Sequence, residues 1–192
     1  MFEVNNIYPS PVYSTTLEDH DLLNVYIKSR LYSLRDRQFM GQGQGSVNRR
    51  GTWISTRELH EESSFSVLLE TVRKKISHLA DIQTIGIDKP RCHRMWGEIT
   101  DRFGYDQKHA GDDCMLKGIY FVQTPDDSGQ LQFIDPRNQD TEKNNATDNA
   151  VFSMNEGRLL IFPSWLSYSL TPNQSELNGD SGNRINIRFS FN

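Results

Sequence analysis

An α+β fold is predicted by two observations. The first half of the chain carries two stripes of apolar residues at helical spacing. From about residue 90 the pattern changes to short runs rich in β-branched and aromatic residues, bounded by turn formers. Helices followed by strands, rather than alternating with them, imply helices gathered on one side of an antiparallel sheet or sandwich. At 192 residues without internal repeats, the chain is read as one domain, 1–192. An edge strand and helices occupy 1–88 and a strand-rich core occupies 89–192.

In order, "NNIYPSPVYSTTL" reads as an irregular edge strand, because Pro9 and Pro11 cannot donate to a central ladder. A helix follows, on which Leu22, Leu23, Tyr26, Ile27, Leu31 and Leu34 recur at helical spacing, with Asp19 or Asp21 as its cap. The glycine-rich loop 41–51 breaks that pattern. Phe65, Leu68, Leu69, Val72, Ile76 and Leu79 then mark one stripe of a second helix, capped by Ser63 or Ser64. Its cations Arg73, Lys74 and Lys75 lie toward the C-terminal half, where the helix dipole favours them. Strands are expected in "RCHRMWGEIT", "CMLKGIYFVQT", "GQLQFID", "AVFSMN", "RLLIFPS" and "RINIRFSFN". "PDDSGQ" is expected as a hairpin connection and 136–149 as a polar loop. In the last strand Ile185, Ile187, Phe189 and Phe191 alternate with Arg184, Asn186, Arg188 and Ser190. One face is core, and the other, with two cations, is either solvated or lines a polar pocket.

Composition narrows the function classes. Hydrophobic residues are 35% and mean hydropathy is -0.65, but aromatics at 10% argue against disorder. The formal charge is -4 with no basic block that tracks phosphates, so nucleic-acid binding is not expected. No apolar run is long enough to span a bilayer, and the first residues have no positive or apolar signal region, so no membrane or secretory role is expected. Cys92 and Cys114 are read as buried thiols outside any disulfide. Trp53, Trp96 and Trp165 are assigned to core packing rather than to a stacking platform.

Six segments carry a resemblance: "IYPSPVY", "SVNRRGTWIST", "MWGEITDRFGYDQKH", "LKGIYFVQTPDDSGQLQFIDPR", "GRLLIFPSWLSYSLTPN" and "RINIRFSFN". In that order they resemble a group of 2-oxoglutarate/Fe(II) oxygenases found in bacteria and in tailed phages, especially marine ones. The resemblance runs almost end to end and implies a double-stranded β-helix, or jelly roll, with the two helices packed on one sheet.

It also implies a ferrous site of two histidines and a further ligand, usually a carboxylate. His109 matches the first ligand position. The second position, two residues on, is Gly111, which has no donor; Asp112 and Asp113 are nearby. The distal position is Tyr168, whose phenol, with a pKa of about 10, is a poor ligand for reversible ferrous chemistry. Arg184 matches the arginine that grips the far carboxylate of 2-oxoglutarate, a two-pronged bond suited to guanidinium. With two ligand positions lost, Arg184 and His109 read as vestigial, Arg184 now holding an internal carboxylate such as Asp101 or Asp135.

The expectation is therefore a non-catalytic jelly-roll protein needing no cofactor. It is expected to be a structural part of a phage virion (neck, tail-completion or baseplate) in the particle or the host cytoplasm. It would contact other subunits in a symmetric assembly through loops 41–51 and 136–149. The alternative is an active 2-oxoglutarate-dependent dioxygenase. In it His109, Asp112 or Asp113, and His93 hold Fe(II), and Arg184 holds 2-oxoglutarate. A third option is a metal-free carboxylate pocket built on Arg184 and Arg188.

Overall fold

A computed structural model describes residues 10–48, 51–83, 89–109, 113–135 and 149–192. Its regular elements are β1 (Tyr13–Thr16), α1 (His20–Phe39), β2 (Ser46–Val47), β3 (Thr52–Ile54), α2 (Ser66–Gln83), β4 (Cys92–Thr100), β5 (Asp106–His109), β6 (Leu116–Gln123), β7 (Leu131–Phe133), β8 (Ala150–Phe152), β9 (Arg158–Pro163), β10 (Tyr168–Leu170) and β11 (Arg184–Phe191). They form a seven-stranded sheet, ordered β1-β9-β6-β11-β4-β3-β2, and a four-stranded sheet, ordered β5-β10-β7-β8. Every named pairing is antiparallel. The architecture is the expected α+β double-stranded β-helix.

Both helices lie on one face of the large sheet. Ile27 and Leu31 of α1, and Leu68, Leu69, Val72 and Ile76 of α2, share a core with Ile185, Ile187, Phe189 and Phe191 of β11. Gly97 of β4 admits α1: a Cβ there would lie 2.4 Å from Leu31 Cδ2. One polar pin crosses this layer, where the Tyr120 hydroxyl donates to Asn24 Oδ1 at 2.6 Å. The second core fills the space between the sheets with Ile119, Phe121, Leu131, Phe133, Leu160, Phe162, Leu166, Tyr168 and Leu170.

Several expectations need correction. "PDDSGQ" does not close a hairpin: β6 belongs to the large sheet and β7 to the small one, so the segment carries the chain across the sandwich. Of the expected α1 stripe, Ile27 and Leu31 are buried and Leu23 and Leu34 partly so, but Leu22 and Tyr26 are exposed and Asn24 is buried in their place. Asp19 holds the N-cap position of α1 in a left-handed conformation, without a side-chain bond. The second helix is entered through a 3-10 turn, Ser63–Phe65, rather than capped by a serine in it. Trp53 and Trp96 are core, but Trp165 is exposed. Neither cysteine is in a disulfide; Cys92 is buried and Cys114 half-buried. The polar face of β11 is not solvated, since Arg184 and Arg188 are 0% and 1% exposed. Residues 49–50 of the first proposed contact loop and 136–148 of the second lie outside the described residues.

Candidate functional site

Strand alternation puts the even-numbered residues of β11 on the face opposite the helices, toward the small sheet. Register then decides their neighbours, because directly paired residues share a face. Asn186 pairs with Glu98 and Arg188 with Trp96 on β4. On the other side Arg188 pairs with Ile119 and Ser190 with Lys117 on β6. The space between the sheets is thus divided. Beneath β6 and β9 it is largely apolar; beneath β4 and β11 it holds Glu98, Thr100, Arg184, Asn186, Arg188 and Ser190, all buried.

Arg188 is the centre of the polar half. Its Nη1 donates to the Tyr168 hydroxyl at 2.7 Å. Its Nη2 forms an ion pair with Glu98 Oε2 at 2.8 Å and a hydrogen-bonded ion pair with Asp106 Oδ2. Glu98 is held in turn by the Trp96 indole, whose Nε1 donates to Oε1 at 2.9 Å. Burial alone would weaken the Arg188 charge. Glu98, Tyr168 and Asp106 together outweigh it and hold the pKa above the ordinary arginine value, so the guanidinium is a permanent cation. The Tyr168 ring is fixed edge-on against Phe162, centroids 5.2 Å apart, and Arg188 Cζ lies 5.2 Å from its centroid.

Arg184 sits farther along the same face and is held differently. Its Nη1 donates to the carbonyls of Ser128 at 2.6 Å and Thr171 at 2.8 Å. Gly129, at φ 98°, leaves room for it; a Cβ there would lie 2.8 Å from that nitrogen. Burial lowers the Arg184 pKa to about 10, with Glu98 opposing the shift. The carboxylates acting on its charge are those of Glu98 and Asp106, not Asp101 or Asp135. Its Nε and Nη2, and both amide atoms of Asn186, are buried without hydrogen-bond partners.

The fold brings two of the expected ligand positions together: His109 of β5 is the cross-strand partner of Tyr168 of β10. Gly111 and Asp112 lie outside the described residues, and Asp113 is exposed. His93 is exposed on β4, beside the register shift opposite Ser190 and Phe191. Among the described residues no group of three or more His, Cys, Asp or Glu side chains is placed to hold a metal ion. A ferrous ion needs converging lone pairs. The two carboxylates that converge here, with the Tyr168 hydroxyl, converge on a guanidinium already among them. A second cation would meet positive charge, so these residues do not fit iron. Glu98 and Asp106 were not among the sequence candidates. Glu98 gave one signal, an acidic residue between the apolar Trp96 and Ile99, and Asp106 in the polar strand DQKH gave none; only register could connect them to Arg188.

A family described as "Putative 2OG-Fe(II) oxygenase" matches residues 94–190. No curated protein sequence matches. Solved structures that are similar include a prolyl-4-hydroxylase of Pseudomonas putida, at a TM-score of 0.62 and 12% identity, covering 95% of this chain and 94% of that one. HygX of Streptomyces hygroscopicus, with nickel and 2-oxoglutarate bound, gives 0.65 at 10% identity, covering 95% and 82%. A prolyl hydroxylase of Trichoplax adhaerens, in complex with a hypoxia inducible factor peptide fragment, gives 0.66 at 16%, covering 94% and 82%. At these identities the likeness is one of fold.

Proposed function

The chain belongs to the 2OG-Fe(II) oxygenase family, and from that premise we propose that it is a non-catalytic member acting through its surfaces. One observation carries the reading. The residue across from His109 is Tyr168, and its hydroxyl is already taken by Arg188. The position that would complete an iron site instead belongs to an internal ion-pair network. The test is anaerobic addition of Fe(II) and 2-oxoglutarate to the purified chain. No visible metal-to-ligand charge-transfer band is expected; a band at one iron per chain would establish the dioxygenase reading instead. The role we propose is structural, in a phage particle and through contacts with other subunits. Its support is the resemblance to proteins of tailed phages. Mass spectrometry of purified particles tests it, and absence from the particle would end it.

A second reading has its own observation. Buried Nε and Nη2 of Arg184 and the amide of Asn186 lack protein partners, which favours metal-free binding of a small carboxylate. Arg188 would contribute only its Nε, which also lacks a partner, because Tyr168 occupies its Nη1 and Glu98 and Asp106 its Nη2. Titration of 2-oxoglutarate without metal, followed by thermal unfolding, decides this: a rise in Tm supports it and no shift at high ligand removes it.

A further inference from the structure

The non-fit with iron has a specific cause, and it leads further. We infer that the guanidinium of Arg188 is the resident cation of this site and takes over the electrostatic work of a bound metal ion. It gathers oxygen acceptors from three strands of two sheets: Glu98 from β4, Asp106 from β5 and Tyr168 from β10. Two buried carboxylates facing one space repel each other and lose their hydration, costs that a cation between them offsets. A metal ion would answer that need from solution. Here β11 supplies the answer covalently, on a side chain whose planar fork addresses carboxylate and hydroxyl together. The neighbours agree with this assignment. Arg188 bonds Tyr168, one of the ligand positions that the resemblance marks, and Tyr168 is the cross-strand backbone partner of His109, another. The inference rests on the non-catalytic reading but makes a separate claim: removing the guanidinium should leave a cation-binding space.

The experiment compares the full-length wild type with Arg188→Ala and with Arg188→Ala/Asp106→Asn, by thermal unfolding with Mn2+ or with EDTA. Mn2+ is the probe because it favours carboxylate oxygens and needs no reductant. Wild type is expected to show no shift. Arg188→Ala is expected to unfold at lower temperature in EDTA. With Mn2+ at a hundredfold its Kd it should regain roughly 5–10 °C, and the double variant should lose that response. If Arg188→Ala folds only when refolded with Mn2+, the inference is equally supported. If it folds under neither condition, Arg188→Lys and Arg188→Met decide. A surrogate cation predicts that lysine keeps most of the stability and methionine does not; equal losses overturn it. An Arg188→Ala variant that folds and ignores Mn2+, beside an inert wild type, overturns this inference and leaves the non-catalytic reading intact. A wild type that itself takes up Mn2+ with a Tm rise overturns both.

Discussion

At the scale of single residues, the molecule depends on how a few buried polar groups are answered. The Tyr168 hydroxyl has a defined task, accepting from Arg188 Nη1 at 2.7 Å inside a water-poor space. Tyr168→Phe keeps the ring against Phe162 but leaves a buried charged donor with no acceptor. It is expected to cost about 1–3 kcal/mol in urea denaturation, with the fold unchanged by circular dichroism. A loss near zero would mean that the bond carries little. Cys92 shows the same logic in its proton. Burial pushes its thiol from 9.0 up to about 12, more than the cation of Arg73 and the bond to the Arg94 carbonyl hold it down. The folded state therefore prefers the neutral thiol. That contribution is intact below pH 9 and is lost as pH rises from 9 toward 12. At pH 9, where an ordinary thiol is half ionised, Cys92 should resist iodoacetamide until denaturant is added. Peptide mapping of the alkylated chain, with Cys92→Ser as control, reads this directly.

At the scale of elements, Gly97 shows how a strand accepts a helix. Its missing side chain is where Leu31 of α1 rests, and the added methyl of Gly97→Ala would lie 2.4 Å from Leu31 Cδ2. The helix must lift or Leu31 must leave its rotamer, so a loss of about 1–3 kcal/mol is expected. Combining it with Leu31→Ala should cost less than the sum of the two single changes, because the smaller side chain makes room for the new methyl. Strict additivity in a denaturation double-mutant cycle would place the strain elsewhere. The helices and long strands were legible in the sequence because Leu68, Val72 and Ile76, or Ile185, Ile187 and Phe189, repeat the period of their element. Of the short ones, β1, β7 and β8 were legible from composition and bounding turn residues, but β2, β3 and β5 were not: with two to four residues they are too short to show a period. The β6–β7 connection has the composition of a hairpin but crosses between sheets. Turn chemistry specifies a reversal, not the sheet to which the next strand belongs. The site divided in the same way. Alternation alone exposed the two cations of β11, whereas their counter-charges, Glu98 and Asp106, come from strands whose pairing is non-local.

At the scale of the whole molecule, the two sheets are unequal partners. The long strands β4, β6 and β11 have nine, eight and eight residues and lie at the centre of the large sheet, between the helical core and the inter-sheet core. The small sheet has strands of three or four residues. Its described side chains join the inter-sheet core and the Arg188 network but not the core beneath the helices. Cooperative units of different stability are expected from such an arrangement. Native-state hydrogen exchange in low denaturant should therefore find the slowest amides in β4, β6 and β11, opening only with global unfolding. Those of β7, β8 and β10 should exchange through a smaller opening that leaves the large sheet and its helices intact. Tyr168→Phe should lower the free energy of that smaller opening by as much as it lowers global stability, because its bond to Arg188 is broken in both events. If all these strands exchanged at one common free energy, the sandwich would be a single cooperative unit. The Arg188 network would then be one contact among many rather than the clasp that holds the small sheet in place.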